Sequence, residues 1–84
     1  MRLRTDGLTW NVVGDDLIVL DLQGSVYLKV NGSGRLLWEG LAEGVGDEEL
    51  VAALRQRYGI DIRQAEADVA AFLADLRARD LLAE

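Results

Sequence analysis

Hydrophobic and polar positions alternate with a short period in the first third of the chain and with a longer one after it. Thr9-Trp10-Asn11-Val12-Val13 is β-branched and aromatic and runs into Gly14-Asp15-Asp16, a turn composition, which predicts a first strand. Leu17-Ile18-Val19-Leu20-Asp21-Leu22 is an almost continuous apolar run of strand length and predicts a second. Gln23-Gly24 supplies a tight turn. Ser25–Val30 then alternates, with Val26, Leu28 and Val30 on one face and Ser25, Tyr27 and Lys29 on the other. Connections this short make an antiparallel three-stranded meander, and they leave the third strand at an edge.

The period lengthens after Asn31-Gly32-Ser33-Gly34, where Asn31 or Ser33 is placed to cap a helix. Leu36, Leu37, Trp38 and Leu41 give a short amphipathic helix ending near Gly44 or Gly46. Asp47 is the expected cap of a second helix, with Glu48 and Glu49 placed for its dipole, Leu50, Val51, Leu54 and Tyr58 as its stripe, and Gly59 as its C-terminal stop. Asp61 and Gln64 have capping-box spacing for a third helix, whose stripe is Ala65, Val69, Phe72, Leu73 and Leu76. Leu81 and Leu82 are expected to fold back onto the core. The pattern predicts one α+β domain over residues 1–84, in β-β-β-α-α-α order, with its core at residues 8–82.

Composition narrows the chemistry. Without cysteine or histidine there is no thiolate nucleophile, disulfide, imidazole base or Cys/His metal site. Fifteen acids against nine bases give a net charge of −6, which argues against a non-specific grip on nucleic acid. No run approaches the ~20 apolar residues of a membrane span, and the N-terminal residues lack the apolar stretch of a signal peptide. The expectation is a cytoplasmic binding module with no catalytic residues, no cofactor, no metal, no nucleic acid and no membrane among its partners. Glu39, Glu43, Asp47, Glu48 and Glu49 match no calcium loop and read as a helix cap and solvated face. Asn31–Gly34 lacks the Lys-Ser/Thr of a phosphate cradle and reads as a strand-to-helix turn.

The edge strand is the more informative feature. Edges are normally blunted by charge, proline or a bulge, and Lys29 alone does so here. Two readings stand: an ordinary edge guarded by one lysine, or an acceptor for an extended peptide that adds as a further strand. In the second, the third helix supplies the other wall of a groove. Asp68, Asp75 and Arg79 lie on one flank of its stripe beside Phe72, either as a solvated flank or as the groove rim.

The run Leu20-Asp21-Leu22-Gln23-Gly24-Ser25-Val26-Tyr27-Leu28-Lys29-Val30-Asn31-Gly32-Ser33-Gly34, followed by Leu36-Leu37-Trp38, resembles the PqqD-like family. The shared pattern is L-D-x-x-x-G-x-Y, then an Asn, a Gly three residues later and an apolar-Trp pair. Tyr58-Gly59-Ile60-Asp61, Ala65-Glu66-Ala67-Asp68-Val69, Phe72-Leu73, Leu76 and Leu81-Leu82 extend the resemblance over roughly residues 8–82. Asp80 departs from it where many relatives place Gly, as does Gly32 where a larger polar residue is common.

The resemblance implies a winged helix-turn-helix-like recognition element for ribosomally made, post-translationally modified peptides. Such a domain binds the leader segment of a precursor as an added strand between the third strand and third helix. The lasso-peptide members look most similar, which implies a leader peptidase and a macrolactam cyclase as partners. Carried over, the peptide-binding residues are Val26, Tyr27, Leu28, Lys29 and Val30 from the strand and Asp68, Val69, Phe72 and Leu76 from the helix. Asp75 joins them from the helical wheel. An apolar leader side chain would sit between Val26/Leu28 and Val69/Phe72/Leu76, with Lys29, Asp68 and Asp75 selecting by charge. Two alternatives remain: a PqqD-type peptide chaperone of pyrroloquinoline quinone synthesis, and a winged-helix DNA-binding regulator. The second calls for a basic recognition helix, whereas Gln64–Arg79 carries Glu66, Asp68 and Asp75 against Arg77 and Arg79.

Overall fold

A computed structural model describes residues 3–4, 6–30 and 32–83, the side chain of Val26 excepted. Strands β1 (Leu8–Val13), β2 (Asp16–Asp21) and β3 (Val26–Val30) precede helices α1 (Ser33–Ala42), α2 (Asp47–Tyr58) and α3 (Ile62–Ala78). This is the α+β order the periodicities predict. The strands form one antiparallel sheet in the order β1-β2-β3, with β3 at an edge.

Side-chain alternation explains the apolar run of β2. Leu17, Val19 and Asp21 are buried, whereas Ile18 and Leu20 are not. The buried face meets Leu37, Trp38 and Leu41 of α1, Leu50 and Leu54 of α2, and Ala65, Val69, Leu73 and Leu76 of α3 in one cluster. Trp38 is fully buried, and Trp10 of β1 packs edge-to-face on it with ring centres 5.5 Å apart. The cluster also takes in Leu3, Leu81 and Leu82, so it starts before residue 8.

The helix ends differ from the sequence expectation in instructive ways. Gly32, with φ 58°, precedes α1 and carries no side-chain cap, while Ser33 already lies inside the helix; Asn31, the other candidate cap, lies outside the described residues. Asp47 sits in the first turn of α2 after Gly46, so it acts with Glu48 and Glu49 on the dipole and not as the cap. Asp61 does cap α3, accepting the Gln64 N–H at 2.8 Å, but the Gln64 amide reaches forward to Asp68 and does not close the box. Gly44 at φ 82° ends α1 and Gly59 at φ 65° ends α2. After α3 the Leu81 N–H donates to the Leu76 carbonyl at 2.9 Å and the Asp80 N–H to Arg77 at 3.0 Å, a Schellman closure with Asp80 at φ 60°. Asp tolerates that left-handed position better than most residues.

Gly40 fixes how closely α1 and α2 approach. A Cβ there would lie 2.6 Å from Leu50 Cδ2, in the core. Gly40→Ala gains about 1 kcal/mol of helix propensity but overpacks the contact at about 1–3 kcal/mol. Overpacking wins: urea unfolding should show the variant less stable than the wild-type protein.

Candidate peptide-binding edge and groove

The ladder itself says which backbone groups of β3 are free. In an antiparallel sheet the N–H and C=O of one residue point to the same neighbour, and successive residues alternate. The Leu22 N–H donates to Gly7 O at 2.8 Å. By alternation Leu20 and Ile18 also face β1, so Asp21, Val19 and Leu17 face β3. Their register partners are Val26, Leu28 and Val30. The backbone groups of those three residues therefore turn toward β2, and those of Tyr27 and Lys29 turn to the open edge.

The side chains sort the other way. Leu28 is half-buried and Val30 buried, on the face that meets the helices. Tyr27, 64% exposed, and Lys29 lie on the outer face, across from Leu20 and Ile18. Lys29 Nζ is 3.3 Å from Asp16 Oδ2. Ser25, expected within the strand, instead ends the β2–β3 turn at φ 54°. Four residues make that turn because Asp21 organises it: its Oδ1 accepts the N–H groups of Gln23 at 3.1 Å and Gly24 at 3.3 Å.

Helix α3 approaches β3 at the Val30 end of the strand. A Cβ built on Gly34, in the first turn of α1, would be 2.9 Å from Val30 Cγ1 and 3.6 Å from Phe72 Cε1, so the end of β3, α1 and the Phe72 ring converge. Phe72 is half-buried, and Val69 and Leu76 lie beneath it in the core. On the α3 side the candidate site thus offers half-buried Phe72, with half-buried Asp68 and exposed Asp75 on the same flank of the helix. Both acids already have partners on their own helix. Gln64 Nε2 donates to Asp68 at 2.8 Å, and Arg79 Nε lies 3.2 Å from Asp75 Oδ2. Exposed pairs of this kind are worth about 0.2–1 kcal/mol, so an incoming peptide can displace them at little expense. The three charges expected to select together are split: Asp68 and Asp75 share that flank of α3, and Lys29 belongs to the outer face.

Two residues outside the expected set matter to the groove, Arg4 and Asp21. Arg4 Nη2 pairs with the Asp21 carboxylate, which is only 4% exposed. Burial pushes the Asp21 carboxyl up, but the Gly24 N–H, the Arg4 charge and hydrogen bond, and the Gln23 N–H together outweigh it and hold the group below its ordinary 3.8. A carboxyl depressed by folding stabilises the fold fully above its unfolded pKa, and that contribution fades as pH falls through the folded value. Melting temperatures measured from pH 6 to pH 2 should fall below about pH 3.8, and Asp21→Asn should flatten that fall while starting lower at neutral pH. The signal for this pair was present in the Leu20-Asp21 motif, but Arg4 is 17 residues away in sequence and nothing local announces it.

A concave region of about 630 Å³ lies on the opposite flank of α3, between it and α2, lined among others by Val51, Ile62, Glu66 and Ala70. Strand addition requires an open edge and not a cavity, so concavity does not decide between the two places.

Comparison with known proteins bears on the family and the fold. The structure of TbiB1 in complex with the TbiA(beta) leader peptide superposes with a TM-score of 0.90 at 29% identity, covering all of both chains. A lasso peptide synthetase B1 complexed with the leader peptide gives a TM-score of 0.88 at 22% identity over 99% of this chain and 96% of that one, a likeness of fold. No functionally curated protein shows significant sequence similarity to the chain. Residues 16–82 match the family described as coenzyme PQQ synthesis protein D (PqqD), and the chain belongs to that family.

Proposed function

We propose that this protein is a non-catalytic recognition element that binds the leader segment of a ribosomally made precursor peptide. The leader adds as a fourth strand on β3 and is presented to a leader peptidase and a macrolactam cyclase of lasso-peptide synthesis. The observation that carries the reading is the open pair of backbone positions at Tyr27 and Lys29, on the edge strand whose Val30 end approaches Phe72 of α3. An extended peptide meets two N–H and two C=O groups there and gains main-chain affinity from them. Its inward-facing side chains reach Leu28 and Phe72, and the outward ones lie next to Tyr27 and Lys29. The chemistry belongs to the partner enzymes, which suits a chain without histidine or cysteine.

The lasso reading over the pyrroloquinoline quinone reading is supported by the fold match to a lasso peptide synthetase B1 complexed with the leader peptide, beside the 29% identical, full-length match to a protein solved with a leader peptide. The experiment is a polarisation titration of the fluorescein-labelled leader of this protein's cognate precursor peptide. Saturable binding is expected, with no binding to a DNA duplex at low salt; failure of the leader to saturate, or duplex binding in its place, would overturn the reading.

A further inference from the structure

The two walls of the groove are joined at both of its ends. At the Val30 end the joint is Gly34. Its φ lies outside the left-handed region, so backbone conformation does not demand glycine. The demand is steric, because a Cβ would strike Val30 Cγ1 at 2.9 Å, while it would meet the Phe72 ring at an ordinary contact distance of 3.6 Å. At the Val26 end the joint is Arg4. Its Nη2 pairs with Asp21, the register partner of Val26, and its Nη1 donates 2.8 Å to the carbonyl of Asp80, just past the end of α3. The Arg4 N–H adds a 2.8 Å bond to Leu81 O.

These joints also fix direction. Val26 lies toward Asp80 and Val30 toward Phe72, so β3 and α3 run in opposite senses. The four strand steps span about 13 Å; Phe72 to the end of α3 at Ala78 is six helix steps, about 9 Å, with Arg79 and Asp80 beyond it.

We propose that Arg4 and Gly34 are positioning residues that set the separation of β3 and α3 at the two ends of the groove, giving the leader a slot of preset width and register. This rests on the leader-binding reading. Leader residues at one end pass Asp75 and Arg79, and those at the other pass Phe72 and Asp68. A slot already at its bound width spares the protein the ordering that binding otherwise demands.

The test is an alanine scan of the labelled leader peptide against the wild-type protein, Gly34→Ala and Arg4→Met. Gly34→Ala should weaken binding about tenfold, equivalent to ~1.4 kcal/mol. It should also erase the effect of leader substitutions at the Val30 end while leaving those at the Val26 end unchanged. Arg4→Met should do the reverse. A merely structural role would lower the folded fraction and scale every leader variant equally; that outcome, or an unaltered scan, overturns the proposal. If Gly34→Ala fails to fold, Val30→Ala/Gly34→Ala removes the methyl that the new side chain would strike, and Arg4→Lys replaces Arg4→Met, with the same end-specific losses expected. Wild-type protein that does not bind the leader refutes the underlying reading, whereas wild-type binding with a uniform scan refutes the positioning roles alone.

Discussion

Tyr27→Pro is expected to abolish leader binding and leave the protein folded. The Tyr27 N–H points to the open edge, so proline removes no bond of the β2–β3 ladder, and edge strands accept proline where the N–H faces solvent. What proline removes is one main-chain donor to the added strand, worth about 0.5–1.5 kcal/mol, or up to roughly tenfold in affinity. Its ring also projects into the space the incoming strand must occupy, so the combined loss should exceed about a hundredfold. Leu28→Pro is the control. That N–H turns toward β2, so the same change one residue on should unfold the protein. Circular dichroism and the leader titration, run on both variants, should separate in opposite directions. A folded Tyr27→Pro variant that keeps its affinity contradicts strand addition.

Phe72→Ala should lower leader affinity at least about tenfold. The ring is half-buried on the flank of α3 that is proposed to face the leader, while Val69 and Leu76 are in the core. Truncation therefore removes contact area that the leader would bury. Its effect on folding is smaller, about 1–2 kcal/mol, because part of the ring is already in water. Leu76→Ala, by contrast, empties a fully buried site and should cost about 2–5 kcal/mol of stability. The pair distinguishes a groove residue from a core residue, which the helical wheel alone does not: both lie on the same stripe. Isothermal titration for affinity and urea unfolding for stability give the two readings.

Much of this was legible in the chain. A β-branched, aromatic stretch and an apolar run place the first two strands, period-2 alternation the third, and period-3.6 stripes the three helices. The edge position of β3 follows from two short turns, and the Gly59 stop and Asp61 cap follow from local hydrogen-bonding chemistry. Turn details were less legible. Ser25 reads as strand because serine is tolerated there, yet the Asp21 carboxylate draws two N–H groups into a longer turn and forces Ser25 to positive φ. Asp47 reads as a cap, but the chain enters α2 one residue earlier, through Gly46. Long-range ties were not legible at all. Arg4 meets Asp21 and Asp80, and Leu3 bridges to Leu82, through tertiary packing that no local window records. The groove residues show the same division. Phe72 and the strand edge follow from pattern, whereas which of Val69, Phe72 and Leu76 reaches the surface depends on where β3 and α1 press against α3.

Strand addition is the central claim, and amide hydrogen exchange resolves it residue by residue. In the free protein the Val26, Leu28 and Val30 amides should be protected by β2, and the Tyr27 and Lys29 amides should exchange freely. Saturation with the leader peptide should protect Tyr27 and Lys29, with little change at the other three. Saturable leader binding that leaves the Tyr27 and Lys29 amides exchanging as before would contradict the account.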